Sequence, residues 1–130
     1  MSLVVDASTV VAALTDAGSD GHWAREQLTS APLAAPHLLP AEAANILRRA
    51  ARAGELSPDM ASLAHGDLLE LRVALYRYRP LAARVWELRE NLTSYDAWYV
   101  ALAETLDAPL ATLDARLCSA PGPRCEFAMP

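Results

Sequence analysis

Lysine is absent from this chain: all eleven basic side chains in its 130 residues are arginine. Any cationic contact with phosphate must therefore come from a planar guanidinium fork, not an ammonium point charge. Acids outnumber bases, and the formal net charge is -5. Holding nucleic acid by bulk charge needs a basic balance, so such a role would fall to local arginines or a bound cation. Only two cysteines occur, Cys118 and Cys125. Two thiols are too few for a disulfide framework, and without matching His or Cys partners they make no zinc motif. They read as free thiols. His22, His37 and His65 are far apart and lack ligand spacing. There is no Gly-rich phosphate loop, no GxGxxG and no Ser/His/Asp arrangement. No apolar run approaches the ~20 residues that span a bilayer. The first residues lack the basic stretch of a secretory leader, and Asp6 interrupts their apolar run. The expectation is a cytoplasmic protein with no membrane partner.

What remains is an ordinary globular composition, 53% apolar and 21% charged, enough to bury a core without staples. No repeat, low-complexity tract or linker divides it, so residues 1–130 read as one domain. Leu3-Val4-Val5 is short, β-branched and unalternating, the pattern of a buried parallel strand. A helix is expected over 7–14, a loop through Asp16 to Gly21, and a helix over 22–28. Leu33-Ala34-Ala35, between Pro32 and Pro36, reads as a strand. Pro40 suits the first turn of a helix that Gly54 closes. Ser57-Pro58 opens another, to about Leu69. Leu71, Val73 and Leu75 alternate as in a strand, and Pro80 opens a helix to about Arg89. A helix begins at Thr93–Asp96, Leu110–Leu113 reads as a strand, 115–118 as one helical turn, and 126–129 as an edge strand. The order β-α-α-β-α-α-β-α-α-β-α-β predicts an α/β fold with a central, mostly parallel sheet flanked by helices. In such sheets the functional crevice lies beyond the carboxyl ends of the strands.

Four acids stand at positions that meet there. Asp6 and Asp114 each end a strand, and Glu42 and Asp96 each fall in the first turn of a helix. Each also suits a structural role: Asp6 and Asp114 as N-caps, Asp96 as part of a capping box with Thr93, Glu42 as a complement to a helix dipole. Cap and ligand are compatible roles. Four carboxylates in one pocket repel unless a cation balances them. An all-oxygen set suits Mg²⁺ or Mn²⁺, and the chemistry such a site performs is phosphoryl transfer to water.

These residues resemble the PIN domains, and the VapC toxins among them. Val4-Val5-Asp6-Ala7-Ser8 is similar to the opening motif. Leu39-Pro40-Ala41-Glu42, followed by Asn45 and Leu47-Arg48-Arg49, is similar to the second. Thr93 to Ala97 with Tyr99 to Glu104 is similar to the third, and Ala111 to Leu117 to the fourth. The resemblance implies a three-layer PIN fold and magnesium- or manganese-dependent endoribonuclease activity. Asp6, Asp96 and Asp114 would hold the metal, with Glu42 acting directly or through water. It also implies a VapB-type antitoxin, a homodimer, and a tRNA or ribosomal RNA loop as target.

Around the acids, Ser8 and Thr112 are candidates to support the metal shell or to serve as structural hydroxyls, and Asn45 either to orient Glu42 from one turn along its helix or to be a surface polar residue. Arg48, Arg49 and Arg52 are the best local basic group, suited to RNA backbone or partner contact, or simply to a solvated helix flank. Tyr76, Tyr78 and Trp86 suit core or interface packing, or base stacking. Trp23 and Trp98 read as core or interface residues. Two other functions stay open. A phosphatase with an aspartyl nucleophile would carry a second Asp where Ser8 stands. A catalytically silent module of the same fold would bind RNA or protein without cleaving.

Overall fold

The computed structural model describes residues 1–130. Five strands form one sheet: β1 (Leu3–Val5), β2 (Leu33–Pro36), β3 (Val73–Tyr76), β4 (Leu110–Ala111) and β5 (Phe127–Ala128). Their order is β3-β2-β1-β4-β5, and every pairing is parallel. The chain steps outward from β1 to β3, then returns to the other side of β1 as β4. The switch point lies between β1 and β4.

Seven helices flank the sheet: α1 (Ala7–Thr15), α2 (Ser19–Ser30), α3 (Leu39–Arg52), α4 (Pro58–Glu70), α5 (Ala82–Glu87), α6 (Ser94–Leu106) and α7 (Ala115–Ser119). Helices α1 to α4 pack on one another, while α6 lies against β1, β2 and β4 and takes α5 on its flank. Val4, Val5 and Leu110 fill the sheet centre, and Tyr99, Val100 and Leu102 meet them from α6. Helix α6 buries almost every residue from Ala97 to Ala103, as a helix pressed between layers must. No helix is long and apolar enough to cross a membrane.

The element order matches the expectation throughout, with some boundaries moved. Helix α2 begins at Ser19, so Ser19, Asp20 and Gly21 are helical where a loop was expected. A side chain on Gly21 would place its Cβ 1.8 Å from the Asp16 carbonyl oxygen. This glycine permits close packing and does not break the helix. The helix expected at Pro80 starts as a 3-10 turn, Arg79–Leu81. Gly54, at φ +75°, follows the C-cap of α3, as expected. The cysteines are free.

The short C-terminal strand is held by an ion-pair clamp. Arg84 Nε donates to Glu104 Oε1 at 2.7 Å, and its Nη2 donates to Glu104 Oε2 and to the Gly122 carbonyl. The Arg124 amide completes the set on Glu104. Burial alone would raise the Glu104 carboxyl, but these donors hold it below its usual range.

Candidate active site

Register places the first two acids. Val4 pairs with Leu110 and Val5 with Ala111, so one step further Asp6 stands opposite Thr112. Asp6 leaves β1 and caps α1: its Oδ1 accepts from the Thr9 amide at 2.9 Å. The same oxygen accepts from Ser8 Oγ at 2.7 Å. Asp6 Oδ2 accepts from the Thr112 hydroxyl in a short hydrogen bond. Thr112 Oγ1 in turn accepts from the Asp114 amide at 3.0 Å, and Ser8 Oγ from the Leu113 amide at 3.2 Å. Asp114 caps α7 through the Arg116 and Leu117 amides. The loops after β1 and β4 are thus laced together, and Asp6 is buried and fixed. Both Ser8 and Thr112 sit where sequence reasoning put them, beside the acids.

The other two acids come from helices. Helix α3 starts just after β2, so its first turn, with Glu42, rises over the carboxyl edge of the sheet. Helix α6 runs back to feed β4, so it too begins at that edge. Thr93 caps it by accepting from the Asp96 amide at 3.1 Å. All four acids therefore share one rim, and their charges act on one another. Burial raises the Glu42 carboxyl above its ordinary 4.5, and Asp96 and Asp6 push it further, while the Tyr99 hydrogen bond and Arg49 oppose. Burial raises Asp96 above its ordinary 3.8, with Asp114 and Asp6 adding and Thr93 and Arg116 opposing.

Tyr99 is the residue that sequence reasoning passed over. It is 1% exposed, and its hydroxyl donates to Glu42 Oε1 at 2.8 Å. Burial, together with Glu42, raises the phenol strongly, so it stays a donor. A tyrosine on an all-apolar helix face must find a partner for its hydroxyl, and that was the available signal. Of the two readings of Asn45, its exposure and the lack of a hydrogen bond to Glu42 fit the surface polar residue. A position three residues on lies about 60° round the helix, which carries Asn45 off the Glu42 line.

The arginines of α3 separate in the same way. All three are exposed. Arg49, seven residues after Glu42, lies on the same helix face two turns on. Arg48 lines a groove with Ser62 and His65 of α4. Arg52 lies at the far end of the helix. Tyr78 is exposed and meets Trp98 edge to face at 5.3 Å, while Trp86 is exposed beneath the Arg89 guanidinium. Tyr76 is also exposed, so none of Tyr76, Tyr78 and Trp86 is core. Trp23 and Trp98 are partly buried against the core.

The donor set is all carboxylate and hydroxyl oxygen, the chemistry of a hard divalent cation. Two of its members have raised pKa values, first from burial and then from the neighbouring carboxylates. That is the electrostatic deficit such a cation removes. No three of the His, Cys, Asp and Glu side chains stand close enough to hold one ion as they are. Asp6 is held by Ser8, Thr9 and Thr112, and Glu42 by Tyr99.

Fold and rim together define a class. The PIN domain family matches residues 3–123, and the chain belongs to it. Within that family it is of the VapC type. It is 46% identical to Ribonuclease VapC1 of Mycobacterium tuberculosis over 125 residues, covering 95% of this chain and 94% of that one. Among solved structures it is similar to PAE2754 from Pyrobaculum aerophilum, with TM-score 0.73 and 27% identity over 98% of this chain and 83% of that one. It also resembles VapBC2 from Rickettsia felis, solved bound to a DNA fragment from their promoter. There the TM-score is 0.62, with 12% identity over 99% of this chain and 98% of that one.

Proposed function

We propose that this protein is a metal-dependent endoribonuclease toxin, and that Asp6, Glu42, Asp96 and Asp114 are its working acids. One observation carries the reading. Four acids from four separate segments reach one rim and act on one another, in a chain 46% identical to a VapC ribonuclease.

Asp6, Asp96 and Asp114, with Glu42, would hold Mg²⁺ or Mn²⁺. When bound, such an ion neutralises phosphate charge and lowers the pKa of a water. The remaining work falls to the chain. Ser8, Thr9 and Thr112 fix the Asp6 carboxylate so that it needs no reordering at the moment of reaction. Tyr99 holds Glu42 Oε1, leaving Oε2 to accept the proton of the attacking water. The raised pKa of Glu42 brings it nearer the working pH, which favours that transfer.

The reading extends to partners. The substrate is RNA, with a tRNA or a ribosomal RNA loop as the expected target. A VapB-type antitoxin covers the rim, the toxin acts as a homodimer, and both work in the cytoplasm. The test is cleavage of purified total RNA by the isolated protein. Mg²⁺ or Mn²⁺ should support discrete cuts, and EDTA or Asp96→Asn should abolish them. Undiminished cleavage in EDTA would refute the metal role, and no cleavage by folded protein with either ion would refute the enzyme.

A further inference from the structure

Beside the acids, between the start of α6 and α7, a groove of about 250 Å³ is lined by Asn91, Thr93, Asp96, Asp114, Arg116 and Ala120. Arg116 is its only cation. Its backbone amide serves the α7 cap, but its guanidinium forms no ion pair and donates no hydrogen bond. An arginine with neither structural bond, beside two carboxylates in a chain of net charge -5, has five donors to spare. Asn91, also exposed, adds an amide to the same groove.

Arg49, in line with Glu42 along α3, is likewise without an ion pair. Its charge acts on Glu42 as that of Arg116 acts on Asp96. We propose, on the ribonuclease reading above, that Arg116 is a phosphate-binding residue. It holds the backbone of a single-stranded RNA in the α6–α7 groove, next to the phosphate that is cut. Arg49, whose charge acts on Glu42, gives the same strand a second phosphate contact. Neither contact reads bases; both fix the register of the strand over the acids. The two arginines supply what the acidic surface otherwise denies a polyanion.

The test is binding of a fluorescein-labelled, mixed-sequence 12-nucleotide RNA in Mg²⁺, followed by anisotropy across a salt series. The full chain carries Glu42→Gln to stop turnover. Adding Arg116→Gln should weaken binding roughly tenfold at low salt. It should also reduce the slope of log affinity against log salt by about 0.7, the value of one single-strand phosphate contact. Arg116→Lys should restore the slope, and Arg72→Gln, exposed just before β3 at the amino edge of the sheet, should change neither quantity. Unchanged affinity and slope in Arg116→Gln would overturn the assignment while leaving the ribonuclease reading in place. A lysine variant that fails to restore the slope would also overturn it. If the parent binds no RNA at all, the ribonuclease reading falls and this inference with it.

Discussion

Replacing Asp6 by alanine and by asparagine separates its two roles. The carboxylate caps α1 through the Thr9 amide and receives the Ser8 and Thr112 hydroxyls. Alanine removes every acceptor. Loss of the cap, which leaves the Thr9 amide unmet, costs about 1 kcal/mol, and leaving the buried Thr112 hydroxyl without its acceptor costs about 1–2 kcal/mol more. Asparagine keeps an oxygen for the Thr9 amide, and Thr112 can turn its hydroxyl to accept from the new NH₂, so its cost stays within about 1 kcal/mol. Both substitutions remove the same negative charge, so relief of repulsion within the rim cancels in the comparison. Alanine should therefore be less stable than asparagine by about 2 kcal/mol in urea unfolding, while both abolish RNA cleavage. Equal stability of the two variants would refute the hydrogen-bond account of how the β1 and β4 loops are joined. An active asparagine variant would refute the charge role of Asp6.

Tyr99→Phe keeps the buried ring and deletes only the donor to Glu42. Cleavage should fall about 10- to 100-fold, with Mg²⁺ dependence shifted to higher concentration; an unchanged metal titration would remove Tyr99 from its positioning role. The raised Glu42 and Asp96 carboxyls bind protons more tightly in the fold than in the unfolded chain. Through the window that begins at their ordinary values of 4.5 and 3.8 and extends upward, metal-free stability should fall as pH rises. Glu104, lowered by Arg84, acts with the opposite sign below its ordinary value of 4.5. Glu42→Gln should flatten the upper slope and raise metal-free stability by about 0.5–1 kcal/mol after solvent screening. Thermal melts from pH 4 to 8 in EDTA read both effects, and a melting temperature that climbs through that window would contradict the raised Glu42 and Asp96 carboxyls.

The sheet was legible because its buried parallel strands carry no alternation, and Leu3-Val4-Val5 has no other comfortable reading. The acids were legible because a strand end and a helix start share one edge in a parallel sheet, a relation that follows from connectivity alone. Gly21 misled, since a glycine that permits helix packing looks the same in sequence as one that ends a helix. Asn45 could be read two ways, because a polar residue at i+3 can turn to Glu42 or to solvent, and sequence does not say which. Tyr99 lay hidden for a different reason. Its partner is 57 residues away, and only the folded approach of α3 to α6 reveals which polar group the hydroxyl serves.

The central claim is that these four acids cut RNA. Mapping 5′ ends in total cellular RNA after brief induction, wild type against Asp6→Asn, tests it most directly. A discrete new end in wild type that is absent from the folded asparagine variant is the predicted result. The same cuts in both, or none in either with folded protein present, would contradict it.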